Sequence, residues 1–151
     1  FNAWVLVKGL ETVNLRVKAQ SASAATVAEA LAGHPRALQV LYPGRTDHPQ
    51  RAIHAKQMRA GGTLIALEVE GGRAGAFAFL NALQLFDISN NLGDAKSLAA
   101  HPATTTHRRL SPEARAAIGV REGMVRLSIG IEDEADLVED VLQALDAAAS
   151  T

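Results

Sequence analysis

Cysteine is absent from all 151 residues, which excludes disulfides and thiolate metal sites and agrees with a reducing cytoplasm. A basic stripe is missing as well. The Lys and Arg are scattered, the net charge is −1, and nothing recruits phosphates in a row, so nucleic acid is not an expected partner. Aromatic residues make up only 4%. The most apolar stretch, residues 74–86, is interrupted by Asn81 and Gln84 and is too short to cross a bilayer. No signal-peptide pattern opens the chain, so no membrane association and a cytoplasmic location are the expectation. What remains is ordinary for a globular domain: 48% hydrophobic and 21% charged residues, in a chain long enough to bury a core without staples. The opening Phe1-Asn2-Ala3-Trp4 lies within an apolar, helix-like run, which predicts a piece of a longer protein.

Residues 2–10 suit a helix, with a kink or break at Gly9, which weakens a helix by about 1 kcal/mol relative to Ala. Leu10, Val13, Val17, Ala24, Val27, Ala28 and Leu31 then line one face of a long, Ala-rich helix that Gly33-His34-Pro35 stops. Residues 37–42 read as a strand, 50–59 as a short helix, and His48 and His54 as two solvated histidines. The strict alternation over 63–70 marks the clearest strand, with Glu68 and Glu70 on an exposed face. Gly71-Gly72 turns the chain into a helix over 73–85, and 85–88 is a brief strand. Ser111-Pro112-Glu113 opens another helix by cap and N1 proline. A last strand follows over 124–129. Asp133 caps a final helix whose acidic first turn suits the helix dipole. An Ala-rich tail ends the chain. Strands interleaved with helices over one sheet predict a two-layer α/β domain.

The chemistry concentrates in residues 89–107: Ser89-Asn90-Asn91-Leu92-Gly93-Asp94, an apolar link, then His101-Pro102-Ala103-Thr104-Thr105-Thr106-His107. No hydrophobic period runs through this stretch, which predicts a loop without helix or buried strand. Arg126 stands between Val125 and Leu127 in an apolar strand and needs an anion, either an internal acid or a ligand carboxylate gripped through two parallel hydrogen bonds. The amide-rich bend can turn N–H groups toward an anion, so bend and Arg126 are expected to clasp one carboxylate from two sides. His101 reads as a structural hydrogen-bonding residue, and the six-residue spacing of His101 and His107 fits no zinc pattern. No nucleophile–base pair, metal cage or activated lysine appears among Lys8, Lys18, Lys56 and Lys96. The chain is expected to hold a substrate acid without running a reaction alone.

These motifs also carry a resemblance. Asn91-Leu92-Gly93-Asp94 through Ser97-Leu98, the stretch from His101 to His107, Gly123-Met124-Val125-Arg126-Leu127-Ser128-Ile129-Gly130-Ile131-Glu132-Asp133, Lys8-Gly9-Leu10-Glu11-Thr12, Tyr42-Pro43-Gly44 and His48-Pro49-Gln50 resemble the C-terminal domain of the Cys/Met-metabolism pyridoxal-phosphate enzymes. Asn-Asn-Leu-Gly and the three threonines are most similar to the O-succinylhomoserine sulfhydrylases, where relatives such as cystathionine γ-synthase and methionine γ-lyase carry Ser-Leu-Gly. The resemblance implies a fold-type-I small domain spanning 1–151, a two-layer sandwich with a mainly antiparallel sheet. Within it, residues 1–33 form a long helical connection from a pyridoxal-phosphate domain. It implies a homotetramer in methionine biosynthesis that makes L-homocysteine and succinate from O-succinyl-L-homoserine and sulfide. Arg126 would bind the substrate α-carboxylate, assisted by Asn91. Asn90 would influence the choice of leaving group or nucleophile, and Thr106 would lie near the substrate. The lysine that carries the cofactor, and the rest of the cofactor site, would lie upstream. A cystathionine synthase, a lyase or a non-catalytic binding module are the alternatives.

Overall fold

The structure is a computed structural model that describes residues 1–148, and the tail beyond them lies outside the described residues. Two helices open the chain, α1 (Asn2–Glu11) and α2 (Val13–Ala32). The break expected at Gly9 falls instead at Thr12, whose φ of −110° and ψ of 2° leave the helical region. Gly9 is tolerated within α1: its carbonyl accepts from Arg16 Nη2 at 3.0 Å, which braces the corner from the far side. None of α1 is buried, and Phe1, Trp4, Leu6, Leu10 and Leu15 are all exposed. Of the apolar stripe read from the sequence, only the C-terminal half (Ala24, Val27, Ala28 and Leu31) enters the core.

The sheet has the order β1-β2-β5-β4-β3, from β1 (Ala37–Leu41), β2 (Leu64–Val69), β3 (Asp87–Ile88), β4 (Leu98–Ala100) and β5 (Met124–Ser128). All neighbours are antiparallel except β3 and β4. Helices α2, α4 (Gly72–Ala82) and α6 (Glu134–Ala147) cover one face and make the two-layer α/β domain. Alternation decides which side chains meet them. Ile65, Leu67 and Val69 of β2 and Val125 and Leu127 of β5 point into that core, against Phe79, Leu137, Val141 and Leu145. The two helix starts form as their chemistry dictates: Ser111 Oγ accepts from Ala114 N before α5 (Pro112–Ala117), and Asp133 Oδ1 accepts from Ala135 N before α6.

Three expectations are corrected. The stretch 89–107 contains a strand after all: β4 is buried at each of its three residues and lies between β5 and β3. A strand covered on both faces needs no alternation, and Leu98-Ala99-Ala100 shows none. His54, on α3 (Arg51–Gln57), is buried and not solvated; Arg51 Nη1 donates to its Nδ1 at 2.9 Å. Glu68 is not an open-face acid either, because it is largely covered and paired with Arg121 at 2.6 Å.

Candidate functional site

Arg126 sits on the sheet face opposite the helices, because its neighbours Val125 and Leu127 point into the core. It is paired in register with Ala66 of β2 on one side and Ala100 of β4 on the other. Two methyl groups leave room for a guanidinium to lie along the sheet. The bend over 89–97 crosses this face. Gly93 takes a φ of +76° there, a conformation that glycine adopts without strain, and its N–H donates to Ser128 Oγ at 2.9 Å. Ser128 lies two residues from Arg126 on the same face, so one strand anchors the bend and presents the cation.

Two further clamps hold the bend from outside. Gln20, buried on α2, donates through Nε2 to the carbonyls of Asp94 (2.7 Å) and Ile129 (2.9 Å). Glu132 accepts from Ser97 N–H at 2.7 Å and from Ser97 Oγ at 2.9 Å, and the same hydroxyl accepts from Gly130 N–H at 2.8 Å. Neither clamp is legible in the sequence, since each joins residues more than thirty apart. Glu132 looks there like one more acid at a helix start.

The orientation of the bend differs from the expected one. Two of its N–H groups are already used: Asn91 N–H donates to Ser89 Oγ at 3.2 Å, and Gly93 N–H goes to Ser128. The carbonyls of Asn90 and Asn91 face Arg126 instead, each accepting from Nη2 at 2.9 Å. A guanidinium has donors only, so the backbone beside it turns acceptors inward. No acid pairs with Arg126 among the described residues. Its Nε is buried and has no hydrogen-bond partner among them. An N–H removed from water and left without an acceptor costs about 1–3 kcal/mol. The site therefore holds a half-buried, acceptor-seeking cation with no counter-ion of its own.

Asn90 and Thr106 share a cavity of about 370 Å³ with Thr104, Thr105, Arg108 and Arg109, whereas Arg126 touches this space only through Asn90. The second wall is a run of turns over 102–109 pinned by His101. Its Nε2 donates to the Glu122 carbonyl at 2.8 Å, and its Nδ1 accepts from Thr104 Oγ1 at 2.9 Å. Thr105 Oγ1 donates to the His101 carbonyl at 2.7 Å. Both ring nitrogens are occupied, which gives His101 a structural task. Thr106 Oγ1 lies 2.8 Å from His107 Nδ1. No cluster of potential metal ligands exists among the described residues.

Glu122 joins this wall to the neighbouring helices. Its carboxylate pairs with Arg73 Nη2 at 2.6 Å and Arg115 Nη2 at 2.7 Å. Hydrogen bonds from Arg73 and then Arg115 hold its pKa below the ordinary 4.5. A carboxyl depressed in the folded state favours folding in full above pH 4.5, and that contribution is lost as pH falls through the folded value. Urea midpoints of the chain between pH 3 and 7 are expected to fall on the acid side. Glu122→Gln should flatten that fall. An unchanged slope would assign the acid sensitivity to other carboxyls.

The sheet thus presents Arg126, without an acid partner among the described residues, beneath an amide-rich bend. The chain belongs to the Cys/Met metabolism PLP-dependent enzyme family, whose model matches residues 1–146. It is 51% identical over 149 residues to an O-succinylhomoserine sulfhydrylase of Mycobacterium tuberculosis, covering 96% of this chain and 37% of that protein. It is 47% identical to an L-methionine gamma-lyase of Pseudomonas putida, covering 98% and 37%. The structure matches cystathionine gamma synthase from Xanthomonas oryzae with a TM-score of 0.95 at 40% identity, over 100% of this chain and 39% of that one. Cystathionine gamma-lyase from yeast matches with a TM-score of 0.95 at 41% identity, over 99% and 39%. These structural neighbours are fold-type-I pyridoxal-phosphate enzymes, and the chain spans a little over a third of the length of the relatives it matches.

Arg126 Nε is left as a buried donor open to an acceptor. Lys96 does not suit a carbonyl cofactor: its hydrogen bond to Asp87 at 3.0 Å pushes its pKa up, away from the neutral amine that condensation requires.

Proposed function

We propose that this chain is the substrate-carboxylate domain of a longer pyridoxal-phosphate enzyme acting as an O-succinylhomoserine sulfhydrylase. In the reaction the Cγ–O bond of O-succinyl-L-homoserine breaks, a Cγ–S bond to sulfide forms, and succinate leaves, giving L-homocysteine. Pyridoxal phosphate, when bound, supplies the electron sink for such chemistry. Arg126 grips the α-carboxylate and fixes the amino acid's orientation, which aligns the reacting bonds and lowers the entropic part of the barrier. Asn91 holds the guanidinium in place through its carbonyl, Asn90 does the same while bordering the leaving-group side, and Thr106 lies along that side. The observation that carries the reading is an arginine with a buried Nε and no acid partner among the described residues, beneath a bend held by three separate anchors.

The lysine that carries the cofactor belongs, on this reading, to a part of the enzyme outside these residues. The exposed apolar side chains of α1 suit burial against that part or against another subunit of a homotetramer, and no helix among the described residues is long and apolar enough to cross a membrane. A lyase reading is favoured by one observation, the 47% identity to a methionine gamma-lyase. The full-length enzyme separates them. Homocysteine and succinate from O-succinylhomoserine and sulfide are expected. Methanethiol release from methionine as the faster reaction would favour the lyase, and cystathionine formed from cysteine in preference to homocysteine from sulfide would favour the synthase.

A further inference from the structure

The cavity beside Arg126 is cationic and has no anion of its own. Arg108 and Arg109 line it and form no ion pair among the described residues, whereas Arg36, Arg45, Arg73, Arg115 and Arg121 each hold an acid. No Asp or Glu among the described residues lines the space. The frame beneath the two arginines is fixed: Thr104 and Thr105 spend their hydroxyls on His101, and the His107 N–H donates to the Pro102 carbonyl at 2.9 Å. Asn90 belongs to both places, since its carbonyl accepts from Arg126 while it also borders the cavity. A ligand with an acid at each end can therefore bridge the two cationic positions.

We propose that Arg108 and Arg109, with Asn90 and Thr106 beside them, form a subsite for the distal carboxylate of a dicarboxylic acyl group carried on the substrate's γ-oxygen. The inference rests on the sulfhydrylase reading and specifies its leaving group. Eight bonds separate the two carboxyl carbons of an O-succinylated homoserine, roughly 10 Å when extended. An acetyl group ends before the second acid and leaves both guanidiniums unpaired. Charge-assisted hydrogen bonds to a carboxylate are the stronger kind and make such a subsite discriminating.

The test uses the full-length holoenzyme and reads the ratio of kcat/KM for O-succinylhomoserine to that for O-acetylhomoserine. Arg108→Ala/Arg109→Ala is expected to lower this ratio about ten- to a hundredfold, the range of one or two lost charge-assisted bonds. A ratio within twofold of wild type overturns the subsite. Arg108→Gln/Arg109→Gln, which preserves the side-chain bulk, gives the same reading should the alanine variant fold poorly. Calorimetric titration with succinate and with acetate supplies a second measurement independent of turnover. Succinate should bind the wild type more tightly than acetate and lose that advantage in either double variant; equal binding of the two acids overturns the proposal. Succinate preference in an enzyme that turns over neither donor would retain the subsite while rejecting the sulfhydrylase reading.

Discussion

Replacing Arg126 with alanine in the full-length enzyme should raise the KM for the amino-acid substrate about a hundredfold, with the absorbance of the bound cofactor unchanged. The size follows from removing a charge-assisted grip of about 2.8 kcal/mol, where each 1.4 kcal/mol is a factor of ten. Stability should change little, because Asn90 and Asn91 are exposed and water can take over the two carbonyls that Arg126 leaves. Arg126→Lys keeps the charge, loses the planar fork and should recover only part of the affinity. Steady-state kinetics on the three forms checks this. Loss of the cofactor spectrum in Arg126→Ala would instead assign the residue to supporting the fold or the cofactor.

Asp140→Ala carries the largest expected loss of stability, about 2–4 kcal/mol. Asp140 lies on α6 and is buried, yet its carboxylate faces the link that leaves α4. Oδ1 accepts from Gln84 N–H at 2.8 Å and from Gln143 Nε2 at 2.9 Å, and Oδ2 accepts from Leu85 N–H at 2.9 Å. Alanine would take the carboxylate acceptors from two backbone donors and from Gln143. That link feeds β3 and then the bend over Arg126, so substrate affinity should weaken together with the urea midpoint. Asp140→Asn keeps one acceptor oxygen and is expected to fall between the two. A midpoint unchanged in Asp140→Ala would mean that water reaches these N–H groups.

The parts of the fold read from the sequence are those that local chemistry dictates. Ser111 before Pro112 and Asp133 before an acidic turn cap their helices because each oxygen meets an N–H two or three residues on. The alternation of 63–70 survives because only one face of β2 meets the helices. The misreadings share a cause of the opposite kind. Leu98-Ala99-Ala100 becomes a strand through its neighbours β5 and β3, and His54 is buried although nothing in its local pattern marks it. Gly9 costs a helix too little to end it when the corner at Thr12 is braced by Arg16.

At the site, Arg126 was legible because a lone charge between Val125 and Leu127 demands an explanation, and the amide-rich bend because its residue types permit tight turns. That the bend offers carbonyls and not N–H groups was not legible. It depends on Ser128 and Ser89 taking the amide hydrogens first. Arg108 and Arg109 carry a weaker signal. It is a pair of adjacent cations that follows the threonines and His107, with no acid before Glu113.

On the proposed reading the Arg126 guanidinium recognises the α-carboxylate. That recognition is tested most directly by binding an unreactive amino acid and its α-carboxamide to the full-length enzyme and to Arg126→Ala. The wild type is expected to prefer the acid by about a hundredfold and the variant to show no preference. An acid preference retained in full by the variant would contradict that reading.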